Sequence, residues 1–239
     1  MTHSPKDAFD KLASMYEGQV DQDSPYNTDY ERPAMVRMLP DQLEGLAILD
    51  AGCSEGWYSK TLIEKGADVT AIDISPKMAE AAKRKTGGAA RIICHDLNQP
   101  LSFEDHTFDM IVSSLTLHYC KDWFPIFKEF SRVLKPKGQL LFSTHHPFMD
   151  FKQFNSENYF DEVLLHDTWK KAGTSFEVSF YRKPMEKIVT ETSRFFVIDE
   201  LTEPRGTESF KKNHPGNYEY LMTNPHFLII KATSRKQED

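Results

Sequence analysis

A chain of 239 residues with 39% hydrophobic and 27% charged side chains has the length and balance of one large globular domain with a substantial core. Its 29 basic and 36 acidic residues leave a formal net charge of −7, which argues against the basic face that sequence-independent nucleic-acid binding needs. Cys53, Cys94 and Cys120 are too few and too scattered for a disulfide framework or a zinc site, and no run approaches the roughly eighteen apolar residues of a membrane span. The opening residues lack the basic and then apolar regions of a secretory signal, so the expectation is a cytoplasmic chain with reduced thiols.

In chain order, Ser4-Pro5-Lys6-Asp7 reads as a helix start, with Phe9, Leu12, Ala13 and Tyr16 on one face. Residues 17–29 are polar and turn-rich and predict a connection, and a second helix starts near Pro33 and stops at Pro40. These two helices serve either as a lid over a ligand or as packing. Ile48-Leu49-Asp50-Ala51-Gly52-Cys53-Ser54-Glu55-Gly56-Trp57-Tyr58 follows: a strand ending in an acid, a small-residue turn and a helix start. Glycine permits the sharp turn and lets a ligand come close, and the helix start beyond offers unpaired N–H groups.

The next strand, Ala67–Asp73, ends in another acid, and Ser75-Pro76 opens a helix that Gly87-Gly88 stops. Strands at 90–94, 108–112 and 139–144 alternate with a helix carrying the stripe Trp123, Ile126, Phe127, Phe130, Val133 and Leu134. This alternation with short links predicts an α/β fold, a mostly parallel sheet with helices on both faces. The ligand crevice then lies at the carboxyl ends of the strands, where the acids fall. Beyond His145-His146-Pro147 the alternation weakens. Residues 148–182 are aromatic-rich with strand-like pieces near 162–166 and 174–182, an insertion over the carboxyl edge of the sheet. A helix near Pro184, a strand at 195–201, a polar loop, a short helix at 218–222 and a strand at 227–232 complete the chain.

Asp73 lies some twenty residues beyond the glycine turn, where a carboxylate can accept both hydroxyl protons of a ribose. A nicotinamide-dependent oxidoreductase fits that much equally well. Two features favour another ligand. Asp50 stands directly at the strand end, where it would repel a pyrophosphate but suit a cationic group. In His95-Asp96-Leu97, a carboxylate and neighbouring N–H can pair with an adenine edge; Asp96 is alternatively a turn-former.

On the pieces Tyr30-Glu31-Arg32-Pro33-Ala34, Leu49-Asp50-Ala51-Gly52-Cys53, Val69–Pro76, His95-Asp96-Leu97, Phe108-Asp109 and Arg132-Val133-Leu134-Lys135-Pro136, the chain resembles the class I S-adenosylmethionine-dependent methyltransferases. It is most similar to their small-molecule branch, which includes quinone-biosynthesis methyltransferases. The likeness is good over residues 27–145 and looser beyond. It implies a Rossmann-like seven-stranded sheet whose last strand is antiparallel and inserted beside the sixth. It also implies S-adenosyl-L-methionine as cofactor, S-adenosyl-L-homocysteine as product, no metal, and a small-molecule acceptor.

By the same resemblance, Asp50, Gly52, Cys53, Ser54 and Gly56 would hold the methionine portion and Asp73 the ribose. Ile74 would pack on the adenine, Asp96 and Leu97 would read its edge, and Ser113, Ser114 and Leu115 would approach the methionine end. His118 and His145 are candidate bases and, with Tyr16 and Trp169, candidate substrate-side residues; each also has a purely structural reading. The family usually has glycine where this chain has Ser54, so either the loop is strained or relaxed there, or Ser54 caps the following helix. A non-catalytic module of the same fold rests on that departure alone. The single domain divides into an N-terminal helical cover (1–45), a cofactor-binding core (46–147), the insertion as substrate cover (148–182), and a C-terminal helix with closing strands (183–239).

Overall fold

Phe9, Leu12 and Ala13 recur on one helical face, and the computed structural model, which describes residues 5–16, 24–171 and 174–236, forms α1 over Pro5–Tyr16. The cap assigned to Ser4 and the connection at 17–23 lie outside the described residues. Residues 25–31 are helical rather than a turn-rich link: a π-helical turn, Asn27–Glu31, runs directly into α2, Arg32–Met38. Polar composition hid an aromatic pair four residues apart. Tyr26 packs edge-on against Phe210 at 5.5 Å, and Tyr30 lies tilted against Phe227 at 5.6 Å, which buries that face. Pro33 has no N–H to give the carbonyl of Asp29, which instead accepts from Thr207 Oγ1 at 2.6 Å.

The expected alternation then runs through β1 (Ala47–Ala51), α3 (Trp57–Glu64), β2 (Asp68–Asp73), α4 (Pro76–Lys85), β3 (Arg91–Cys94) and β4 (Phe108–Ser113). In α5 (Phe124–Val133), Ile126, Phe127, Phe130 and Val133 are wholly buried, each worth roughly 1.5–3 kcal/mol of transfer free energy. Leu134 ends the stripe and already begins β5 (Leu134–His145), ahead of the predicted start at Gln139. A helix, α6 (Pro147–Gln153), opens the aromatic-rich stretch; His146 Nδ1 accepts from the Phe148 N–H at 3.2 Å and Pro147 fills the first turn.

Two strands, β6 (Val163–Lys171) and β7 (Thr174–Arg182), pair antiparallel as a separate hairpin. After α7 (Met185–Phe195) and β8 (Phe196–Thr202), the predicted polar loop contains another helix, α8 (Glu208–Asn213), capped by Thr207 Oγ1. The short helix α9 (Pro215–Thr223) and β9 (Phe227–Ser234) close the described chain.

The main sheet has the order β3-β2-β1-β4-β5-β9-β8, and β9 is antiparallel to both of its neighbours. This is the Rossmann-like seven-stranded arrangement expected, with the final strand inserted beside the sixth. Alternate residues serve opposite faces, as a period of two requires. Leu49, Ile111 and Leu140 join Phe127 and Phe130 of α5, while Ile48, Met110 and Leu141 join Met35 of α2 and Leu62 of α3. Strand order reverses between β1 and β4, so their carboxyl ends frame the crevice. Among the described residues no helix is long and apolar enough to cross a membrane. All three thiols are free; Cys53 and Cys120 are buried and Cys94 is exposed.

Candidate active site

β1 leads into a turn that only glycine fits at its first position. Gly52 has φ +85°, and a Cβ there would collide with the side chain of Thr116, which enters from the loop after β4. The Gly52 and Cys53 N–H groups both donate to the Ile72 carbonyl, at 2.8 and 2.9 Å, tying the turn to β2. Ser54 keeps the left-handed conformation with φ +50°. Its hydroxyl does not cap α3: Gly56 occupies that position, and Ser54 Oγ contacts Met78 Sδ at 3.6 Å. The strained alternative is therefore the one realised, and the capping alternative is not.

The turn opens on a cavity of about 540 Å³ at the carboxyl edge of the sheet. Gly52, Cys53, Ser54, Asp73, Ile74, Asp96, Leu97, Ser114, Leu115, His118, His145 and Trp169 all lie on its walls. Asp50, Gly56 and Ser113 do not. The Asp50 carboxylate sits beneath the turn, 1% exposed, and accepts from Ser59 Oγ at 2.6 Å. Gly56 is turned towards α4, where a Cβ would stand 3.0 Å from Ala82, and Ser113 Oγ donates to the Ala51 carbonyl at 2.8 Å. The side chain of Tyr16 lies outside the described residues.

Asp73 is gripped by main chain on both oxygens: Oδ1 accepts from the Ser75 N–H and Oδ2 from the Ser54 N–H, each at 2.8 Å. Burial outweighs those bonds and pushes its carboxyl up to about 6. Burial also lifts Asp50 to about 7, the Ser59 hydroxyl pulling back and the Asp73 charge adding to the rise. Asp96 Oδ1 accepts from the backbone and side-chain nitrogens of Asn98, both at 2.9 Å, so Asp96 forms its own turn while standing on the wall.

Two wall residues lie within the N-terminal motif yet carried no predicted role. Glu31, 1% exposed, accepts from Tyr58 Oη at 2.8 Å and from Ser114 Oγ at 2.8 Å. Ser143 Oγ donates to it at 2.5 Å, so this carboxylate joins the start of α2 to the ends of β4 and β5. Burial raises its carboxyl above the ordinary glutamate value. Arg32 lies over the Trp57 ring at 4.4 Å, with Nη2 3.9 Å from Glu55 Oε1. Among the described residues it is the sole Lys or Arg on the wall.

At the other end, His118 and His145 stack at 4.1 Å, walled by Phe180 and Phe227. Burial holds His118 well below the ordinary imidazole value, with the neighbouring His145 adding to the effect; His118 Nε2 has no hydrogen-bond partner among the described residues. Burial likewise holds His226 down at about 3, with His145 and His146 contributing. Asp150 of α6 reaches within 3.4 Å of His145 Nδ1. Trp169 Nε1 donates to Asp167 Oδ2 at 3.0 Å, and its ring packs beside Leu12 of α1 and Met78 of α4. Asp150, Phe180, His226 and Phe227 come from segments that sequence periodicity does not connect. Among the described residues no cluster of His, Cys, Asp or Glu is arranged as a metal site.

Comparison with known proteins agrees with this geometry. Residues 49–142 match the family described as "Methyltransferase domain". Malonyl-[acyl-carrier protein] O-methyltransferase of Buchnera aphidicola is 40% identical over 99 residues, 41% of this chain and 39% of that protein. The chain spans less than half the length of the first curated relatives it matches, down to 22% of a biotin biosynthesis bifunctional protein from Cellvibrio japonicus. The Bacillus subtilis protein YqeM, whose name assigns it to the methyltransferases, is 33% identical over 193 residues, 78% of this chain and 75% of that protein. The crystal structure of an S-adenosylmethionine dependent methyltransferase from Mesorhizobium loti superposes with a TM-score of 0.67 at 27% identity, over 85% of this chain and 97% of that one. With its inserted antiparallel strand and its glycine turn beside Asp73, the chain belongs to the class I S-adenosylmethionine-dependent methyltransferases.

Proposed function

We propose that this chain transfers a methyl group from S-adenosylmethionine to a small molecule in the cytoplasm. The observation that carries the reading is the cradle at the end of β2. Asp73 spends one lone pair per oxygen on main-chain N–H groups and has the others left for two ribose hydroxyls. Beside it Gly52 leaves the room that a Cβ would fill. The cavity volume of about 540 Å³ falls within the range of about 300–1,000 Å³ usual for small-molecule sites. These residues fit the cofactor.

When bound, S-adenosylmethionine supplies a methyl group on a positively charged sulfur that leaves as a neutral thioether. Ile74 and Leu97 give the adenine apolar surface, and the free capacity of Asp96 reads its edge. Arg32 pairs the methionine carboxylate, being the Lys or Arg that the described residues place on the wall, beside the glycine turn. Asp50 acts from beneath the turn as a buried carboxylate whose charge favours the cationic end without touching it. Direct displacement asks mainly for positioning and a suitable field; His118 and His145 stand where an acceptor's proton can be taken. Of the expected N-terminal cover (1–45) and insertion (148–182), the described elements α1 and α2 serve the cofactor end and α6 with the β6–β7 hairpin the acceptor end. The free thiols agree with a reducing compartment.

The non-catalytic reading rested on Ser54, and Ser54 preserves the left-handed turn that glycine would make. S-adenosylhomocysteine at 1 mM is expected to raise the melting temperature of the wild type, and Asp73→Ala to abolish that rise. No shift with either S-adenosylmethionine or S-adenosylhomocysteine would overturn the proposal.

A further inference from the structure

The acceptor end is chemically lopsided. Apart from the aromatic rings, its walls carry Asp150, Asp167 and three imidazoles beside the neutral Thr168 and Gln153, while among the described side chains the one Lys or Arg of the cavity, Arg32, belongs to the glycine-turn end beside Glu55. Two nearby buried cations are spent elsewhere and stand off the wall. Arg182 donates to the carbonyls of Tyr159 and Asn158 at 2.7 and 3.0 Å, and Lys183 pairs with Glu162 at 2.8 Å. A carboxylate or phosphate placed here would lose its water and find no Lys or Arg among the described side chains.

Within this end, Asp150 Oδ1 and His145 Nδ1 lie 3.4 Å apart, both buried and both without a hydrogen-bond partner among the described residues. Two unsatisfied groups facing each other at that distance are a bond waiting to close, as catalytic contacts commonly are before substrate arrives. The other groups around His145 are the stacked His118 from the loop after β4, Phe180 of β7, Phe227 of β9, and His226 just before it. None can take the place of Asp150 as an anionic acceptor for Nδ1–H.

We infer that the acceptor is an uncharged aromatic molecule bearing a hydroxyl group, that His145 takes the hydroxyl proton, and that Asp150 is the positioning residue that fixes the imidazole for this task. The inference rests on the methyltransferase reading above. The balance is simple: the hydroxyl oxygen bonds the methyl carbon, the carbon–sulfur bond breaks with its electron pair passing to sulfur, and the hydroxyl proton moves to His145 Nε2. Nδ1–H then points at the Asp150 carboxylate, which steadies the imidazolium. This sets the chain apart from relatives named for a malonyl substrate, since a malonyl group carries a free carboxylate.

Two measurements test it. With the full chain saturated by S-adenosylhomocysteine at pH 7.5, calorimetric titration with 2-naphthol is expected to give binding at least tenfold tighter than with 2-naphthoate, a probe of the same ring system. Equal or tighter binding of 2-naphthoate, or no binding of 2-naphthol below 1 mM, overturns the inference. A thermal shift with S-adenosylhomocysteine in the same sample keeps that failure distinct from failure of the cofactor reading. Long-range proton–nitrogen spectra of the ligand-free wild type are expected to place the His145 proton on Nδ1. Asp150→Asn retains an acceptor and keeps that tautomer, whereas Asp150→Ala loses it. A wild-type spectrum with the proton on Nε2 overturns the role given to Asp150, whether or not the variants fold.

Discussion

The two ends of the cavity are built by different means. The end proposed for the cofactor is a backbone construction: the turn at Gly52–Gly56 is tied to Ile72, and Asp73 is held by two main-chain N–H groups. The end proposed for the acceptor is a side-chain construction, with rings and imidazoles delivered from β5, α6, β7 and the approach to β9. Backbone geometry tolerates no added atom but is indifferent to most side-chain identities, whereas a side-chain wall changes character with each substitution. The first end should thus fail sharply when crowded. The second should change what it accepts while cofactor binding persists.

The largest break in this comparison is Gly52→Ala. The new methyl must displace Thr116, whose Oγ1 is bonded to the Ser114 carbonyl at 2.9 Å, and must hold φ +85° as well. Left-handed strain and overpacking together cost about 2–5 kcal/mol, and the thermal shift with S-adenosylhomocysteine should vanish. By contrast, His118→Phe replaces a ring whose Nε2 has no partner among the described residues and whose Nδ1 makes only a long contact, 3.5 Å, with Thr144 Oγ1. That exchange should leave stability within about 1 kcal/mol and the cofactor shift intact, while altering acceptor binding.

Glu31 joins the two ends, and its loss comes next in size. Glu31→Ala leaves the hydroxyls of Tyr58, Ser114 and Ser143 without their shared acceptor, for a cost of about 3 kcal/mol by chemical denaturation. Glu31→Gln keeps an acceptor oxygen and should cost well under half as much.

How visible each end was in the sequence follows from the same contrast. The strand–turn–helix unit, Asp73 and Asp96 fall at strand ends, which periodicity and the strand-order rule locate without any contact being known. The rule says nothing of segments preceding the first strand, so Glu31 and Arg32 sat in a recognised motif without a role. Asp150 was read as part of an aromatic insertion because the helical turn at Pro147, which swings its carboxylate back towards the nearby His145, was not foreseen after the last parallel strand. Asp50 lay in the recognised motif, but nothing in the sequence tells whether a strand-end carboxylate turns into the crevice or, as here, towards Ser59 beneath it. The helical turn at residues 27–31 was hidden for a similar reason, its partners being Phe210 and Phe227 nearly two hundred residues away.

Charge gives a further way to sharpen the comparison. Asp50 and Asp73 are raised by burial to about 7 and about 6, from 3.8. The folded chain therefore binds more protons than the unfolded chain from about pH 4 up to these values, and these groups lower its stability as pH rises through that window. His118 and His226, held low, act in the opposite sense below about pH 6.5, so the comparison must be made against a variant. Asp50→Asn, which can still accept from Ser59, should gain about 2–3 kcal/mol on the wild type between pH 5 and pH 8. The cofactor-induced shift of the wild type should grow over the same range, because its cationic end meets carboxylates only after they ionise.

The smallest effect is expected at Ser54, where backbone demand and side-chain choice disagree. Its φ of +50° lies where a Cβ crowds the main chain, at a cost of about 1 kcal/mol. The hydroxyl returns little, since its recorded contact is with Met78 Sδ at 3.6 Å. What the turn uses is the N–H donated to Asp73 Oδ2, and glycine supplies the same N–H without the strain. Ser54→Gly also loosens the unfolded chain, which offsets part of the gain. The net expectation is a stabilisation of about 0.5 kcal/mol and S-adenosylhomocysteine affinity equal to or up to about threefold above the wild type. A loss of affinity on this substitution would mean that the serine hydroxyl itself reaches the ligand, and the cofactor end would then depend on a side chain after all.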